Sequence, residues 1–110
     1  AQLWERGGEM PDGIFCGNDL IARGVVDALR ERGVRVPDDV AVVGFDNWDI
    51  VAAQTRPPLT TVDMNLRTLG REAGRLVLAM SEGREVQSGI RKLPCSLVVR
   101  QSCRGADAPA

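Results

Sequence analysis

The chain has 110 residues, which suits one domain with a modest core. Hydrophobic residues make up 44% and charged residues 26%, an ordinary globular mixture, and no apolar run nears the ~18 residues of a membrane span. Fourteen basic and 15 acidic residues leave a net charge of −1, which does not suit a domain that grips nucleic acid by neutralising phosphates.

The opening AQLWERGGEM has no basic-then-apolar secretory pattern, although Ala1 is not a start methionine and the chain can be a fragment. Residues 1–10 read as a helix end or loop in which Leu3 and Trp4 can pack, broken by Gly7 and Gly8. Pro11-Asp12-Gly13 makes a turn. The run 13–16, GIFC, is then a short apolar segment between turn residues, the pattern of a buried parallel strand.

Leu20, Ile21, Val25, Ala28 and Leu29 recur at helical spacing, with Asn18 or Asp19 able to cap the exposed amides and Gly33 to stop the helix. Pro37 holds Val36 extended in a turn, and 40–45, VAVVGF, is a second apolar strand. Strand, helix, strand is a βαβ unit, so the sheet is expected to be parallel with helices on its faces. Pro57 and Pro58 forbid a helix through that point, and 59–62 has the β-branched character of a strand. Leu66, Leu69, Gly70, Ala73, Leu76, Val77 and Met80 mark a second long helix, with Asn65 as its cap and Gly83 at its end. Residues 90–93 and 96–99 are short extended segments, and 104–110 form a disordered tail.

The cysteines, Cys16, Cys95 and Cys103, are odd in number, lack CxxC spacing and have no histidine to complete a metal set. Cys16 reads as a small core residue and Cys103 as an exposed one in a polar tail. Together they read as reduced thiols in a cytoplasm, with no metal site and no cofactor.

Ligands of open parallel sheets bind beyond the carboxyl ends of the strands. The first strand ends at Gly17-Asn18-Asp19 and the second at Gly44-Phe45-Asp46-Asn47-Trp48. A carboxylate and a carboxamide suit polyhydroxylated ligands, and a tryptophan offers a flat face to a sugar or base. Asn18 serves equally as cap or ligand contact, and Asp19 as cap before ligand contact. Asp46 ends an apolar strand where no helix cap is needed. Trp48 suits ligand platform, core or subunit interface alike. The candidate ligand-binding residues are Asn18, Asp46 and Trp48, and no catalytic residue is expected. There is no GxGxxG, no GxxxxGK[ST] and no histidine, so enzyme chemistry finds little footing.

The segments PDGIFCGNDLIARGVVDALRERGVRVPDDVAVVGFDN, PPLTTVDMNLRTLGREAGRLVL and LPCSLVVRQSC, in that order from about Pro11 to Arg104, resemble the C-terminal part of LacI/GalR-family transcriptional regulators. The resemblance implies an α/β, periplasmic-binding-protein-like core of two subdomains, with residues 1–103 forming its C-terminal part. It implies a small sugar-like or nucleoside-like effector in the cleft, held by Asp46 with help from Asn18. It also implies homodimer contacts near the helix from Asp19 and the segment 48–54. LTTV would be a crossover connection, and 66–93 would belong to the other subdomain. Operator DNA would be bound by a helix-turn-helix that this chain lacks. Met64 stands where some sugar-binding members carry a polar residue, so a contact there would be apolar.

A periplasmic sugar-binding protein of a transport system shares that fold and is the first alternative. The unpaired thiols and the GFD…P.LTTV…LP..LV.R.S series favour the cytoplasmic regulator. A doubly wound sugar-phosphate enzyme would need a phosphate cradle or a general base, and neither is visible.

Overall fold

The computed structural model describes residues 9–103; the expectations for Leu3, Trp4 and the 104–110 tail lie outside them. Two apolar runs become the strands β1 (Gly13–Phe15) and β2 (Ala41–Val43). They pair in parallel with Ile14 opposite Val42, as the βαβ pattern requires. The crossover is α1 (Asp19–Glu31), which Asn18 caps by accepting the Ile21 N–H at 2.8 Å. Gly33, at φ +71°, takes the left-handed turn after it.

The buried stripe of α1 is Asp19, Ala22, Val26 and Leu29, not the set expected from hydrophobicity alone. Leu20 and Ile21 are each 54% exposed. A carboxylate occupies the stripe's first position, for a reason that lies in the site below. Val26, Leu29, Val40 and Val42 pack with Cys16, Ala22, Ala52 and Leu59 as the core.

The second strand is shorter than the run 40–45 because the chain changes partner at Gly44. The Gly44 N–H donates to Thr60 O at 2.9 Å and the Asp46 N–H to Val62 O at 2.9 Å. Val43 and Thr60 form a parallel bridge, so 60–62 extend the sheet beside the end of β2. A short helix, α2 (Asp49–Ala52), fills the loop before the two prolines. Strand β3 (Thr61–Asp63) starts later than expected, since Leu59 is spent on the core. It pairs antiparallel with β4 (Ser96–Val98), Thr61 opposite Val98 and Asp63 opposite Ser96. The 90–93 segment, expected to be extended, forms no strand.

Beyond β4 the chain returns to the core lobe. Ser102 is fully buried: its hydroxyl donates to Val42 O at 2.6 Å and accepts the Thr60 N–H at 2.7 Å. This position also corrects the reading of Cys103, which is half-buried with its thiol 3.2 Å from the Thr60 hydroxyl. Cys16 is buried, and burial pushes its thiol pKa up.

Helix α3 (Leu66–Ser81) has no buried residue; Leu66, Leu69, Val77 and Met80 are 45–64% exposed along it. Asn65 occupies the cap position in a left-handed conformation, but its side chain makes no cap bond. An extent of 60 × 31 × 24 Å and a radius of gyration of 18.7 Å exceed the ~13 Å of a compact domain this long. The β1–β2 core lobe and the α3 lobe are joined through β3 and β4.

In the intact protein, Leu29→Ala should cost about 2–5 kcal/mol by urea unfolding. Glu31→Ala, on the exposed side of the same helix, should stay within about 0.5 kcal/mol. Equal effects would contradict this placement of the core.

Candidate functional site

Asn18 and Asp46 each follow the last paired residue of their strand, Phe15 and Val43, by three positions. Parallel pairing therefore brings both to one end of the sheet, where ligands of this class of fold bind. Phe15 and Phe45 meet there edge to face, their rings 6.5 Å apart.

Asp19 does not reach out to a ligand, nor does it cap α1. It is 1% exposed, its Oδ1 accepting the Thr61 hydroxyl at 2.6 Å and its Oδ2 the Trp48 N–H at 2.7 Å. One carboxylate thus ties the start of α1 to β3 and to the start of α2. Room for it depends on Gly44, where a Cβ would lie 2.4 Å from Asp19 Oδ1 and 2.9 Å from Leu59 Cδ2.

Asn18 is the helix cap. Its Oδ1 is spent on the cap, while its amide N–H groups make no hydrogen bond among the described residues and remain free to donate. Trp48 is fixed through its backbone N–H, and the residue is 49% exposed.

Asp46 is the unusual member. It is half-buried with φ +122°, a region sparsely visited by residues other than glycine. Its backbone is anchored to Val62, yet its carboxylate has no hydrogen bond or ion pair among the described residues.

The next residue is fully engaged. Asn47, at φ +52°, donates from Nδ2 to Asp63 Oδ2 at 3.0 Å and accepts at Oδ1 from an Arg100 guanidinium N–H at 2.8 Å. Asp63 also accepts the Asn65 N–H at 2.7 Å. That backbone bond and the Asn47 amide hold its carboxyl below the usual carboxylate range. Sequence reasoning missed Asn47, Asp63, Arg100 and the strut role of Asp19. For Asp19 a signal existed: it lies three, seven and ten residues before Ala22, Val26 and Leu29. For the others, the pairing spans up to 53 residues and leaves no local pattern.

No group of three or more His, Cys, Asp or Glu among the described residues is placed to hold a metal ion. A cavity of about 400 Å³ lies near the other end of α1, lined by Val26, Arg30, Val36 and Pro57 among others. No helix among the described residues is long and apolar enough to cross a membrane.

A family model, the periplasmic binding protein-like domain, matches residues 1–103. The chain belongs to this family. Its place is in the LacI/GalR branch, for its relatives include the HTH-type transcriptional repressor CytR of Escherichia coli K12, 38% identical over 94 residues. That alignment covers 86% of this chain and 27% of CytR, so the chain spans about a quarter of the relative's length. Among solved structures, the lac repressor dimer bound to operator and the anti-inducer ONPF superposes with a TM-score of 0.82 at 35% identity, covering 93% of this chain and 35% of that one. The transcriptional regulator CelR–cellobiose complex gives 0.73 at 39% identity, covering 83% and 28%. The periplasmic-binding-protein-like, parallel α/β architecture expected from the sequence is the one observed.

Gly44→Ala should destabilise the intact protein by about 1–3 kcal/mol, the usual cost of overpacking, because the displaced neighbour is a buried, doubly bonded carboxylate. Asp19→Ala should cost more, about 2–6 kcal/mol, because it leaves two groups, the Thr61 hydroxyl and the Trp48 N–H, without their acceptor at about 1–3 kcal/mol each. In the double variant the two losses should be clearly less than additive, since the methyl introduced in place of the glycine hydrogen no longer meets a carboxylate. Strict additivity in denaturant melts would contradict the strut.

Proposed function

We propose that residues 1–103 are the C-terminal part of the effector-binding and dimerisation core of a cytoplasmic LacI-type transcriptional regulator, a DNA-binding repressor controlled by a small sugar-like or nucleoside-like molecule. The observation that carries the reading is the Asp46 carboxylate, left without a partner at the carboxyl end of β2 while Asp19, Asn47 and Asp63 around it are all engaged. A half-buried carboxylate in a left-handed backbone is a costly feature to maintain, and accepting hydrogen bonds from a ligand's hydroxyl or ring N–H groups offsets it.

In this reading Asn18 donates from its amide and Trp48 offers its ring to the same ligand. The structure of CelR with cellobiose, a polyhydroxylated ligand, supports the chemistry. The names of the relatives, repressors of the helix-turn-helix type, support regulation over transport or catalysis. Operator DNA is contacted by a helix-turn-helix outside these residues, in keeping with a net charge of −1. Leu20, Ile21 and Ile50, all exposed beside the strand ends, form the homodimer face. Effector binding there favours one arrangement of the two lobes, and the differential affinity of those arrangements sets the response, typically about 1–3 kcal/mol.

Isothermal titration of the intact protein with cellobiose, D-ribose, cytidine and adenosine tests the site. Asp46→Ala should weaken the compound that binds by roughly 10- to 150-fold, the loss of a charged hydrogen bond of about 1.5–3 kcal/mol. An unchanged affinity in that variant would remove Asp46 from the site.

A further inference from the structure

We infer that Asn47 is the positioning residue through which occupancy at Asp46 reaches both strands that join the lobes, by a carboxamide bridge from Asp63 to Arg100. The inference rests on the effector site proposed above and names the route by which it is read.

Asn47 bonds β3 and the segment that follows β4. Its backbone N–H donates to the Thr61 hydroxyl at 3.2 Å, at the start of β3. Its Nδ2 reaches Asp63 at the end of β3, and its Oδ1 receives Arg100, two residues beyond the end of β4. Neither contact stops there. Asp63 holds the Asn65 N–H, immediately ahead of α3. Arg100, only 19% exposed in its side chain, donates to Leu59 O at 2.9 Å, and its backbone N–H donates to the Thr60 hydroxyl at 2.9 Å.

The orientation of the carboxamide is set by its partners. Turned over, it would place an N–H₂ against a guanidinium and an oxygen against a carboxylate, losing both bonds. The bridge is therefore made or broken as a unit. Asp46 and Asn47 are consecutive residues at φ +122° and +52°, a stretch with little backbone freedom to absorb a change. Rotation of Asp46 toward a ligand is passed to a side chain whose two ends are already taken. The crossover strands follow, and with them the start of α3.

The test uses the intact protein and an operator fragment, with the affinity for each of the four probe compounds measured in the presence and absence of DNA. In the wild type the two affinities should differ by about 5- to 150-fold, the usual range of allosteric coupling. In Asn47→Ala that ratio should fall below about twofold, while affinity without DNA stays within about threefold, because Asp46 is untouched. N47D/D63N, which exchanges the two groups and again gives Arg100 an acceptor and the neighbouring carboxylate a donor, should restore the ratio. A merely structural role would lower stability and leave the ratio unmoved. If Asn47→Ala keeps the wild-type ratio, the inference is overturned. If no probe binds the wild type, the effector reading fails for these compound classes, and hydrogen exchange still decides the bridge. Exchange at 61–65 and 96–98 should quicken in Asn47→Ala and recover in N47D/D63N, and unaltered exchange in Asn47→Ala would overturn it.

Discussion

The carboxylate of Asp19 is the constraint on which the arrangement of this protein's strand ends depends. A charged group with 1% exposure is tolerable only when its oxygens are met by donors. Here the donors come from Thr61 and from the backbone of Trp48. Helix α1, the loop leading into α2 and strand β3 therefore cannot be placed independently. Gly44 follows from the same carboxylate, since no side chain fits beside it. What looks in sequence like a helix-start aspartate and a strand-end glycine is a single packing unit formed across 25 residues.

With the frame fixed, the polar groups at the strand ends divide into two kinds. Asp19, Asn47, Asp63 and Arg100 are consumed in holding loops and crossover strands together. Asp46 and the amide of Asn18 are held in place by backbone and cap bonds and keep their side-chain capacity. A binding protein requires such a division, because groups that must meet a ligand need hydrogen-bonding capacity that the fold has not already spent. The link between lobes is equally economical in material. It consists of two short antiparallel strands, and the residue next to Asp46 bonds β3 and Arg100, two residues past β4.

Much of this is legible from the residues. The βαβ unit, its parallel pairing and the long helix 66–81 follow from hydrophobic period and turn residues, which are local properties. The end of the sheet that carries Asn18 and Asp46 is likewise legible from strand order alone. Solvent exposure is less so. Leu20 and Ile21 on α1, and the whole apolar stripe of α3, read as core because amphipathic spacing identifies a face that wants cover without saying what covers it. The end of β2 is hidden for a different reason: at Gly44 the ladder passes from β1 to residues 60–62, a switch that no periodicity records. The burial of Ser102 and the half-burial of Cys103 depend on the chain returning to Val42 from 60 residues away. Composition alone makes that stretch look like a polar tail.

The most direct test of the site is a crystal structure of the intact protein with whichever of cellobiose, D-ribose, cytidine or adenosine binds it. The expected result is a ligand polar atom within about 3 Å of a carboxylate oxygen of Asp46, with the bonds from Asp19 to Thr61 and Trp48 unchanged. A ligand seated instead in the cavity between Val26 and Pro57, with the Asp46 carboxylate unengaged, would contradict the proposed site.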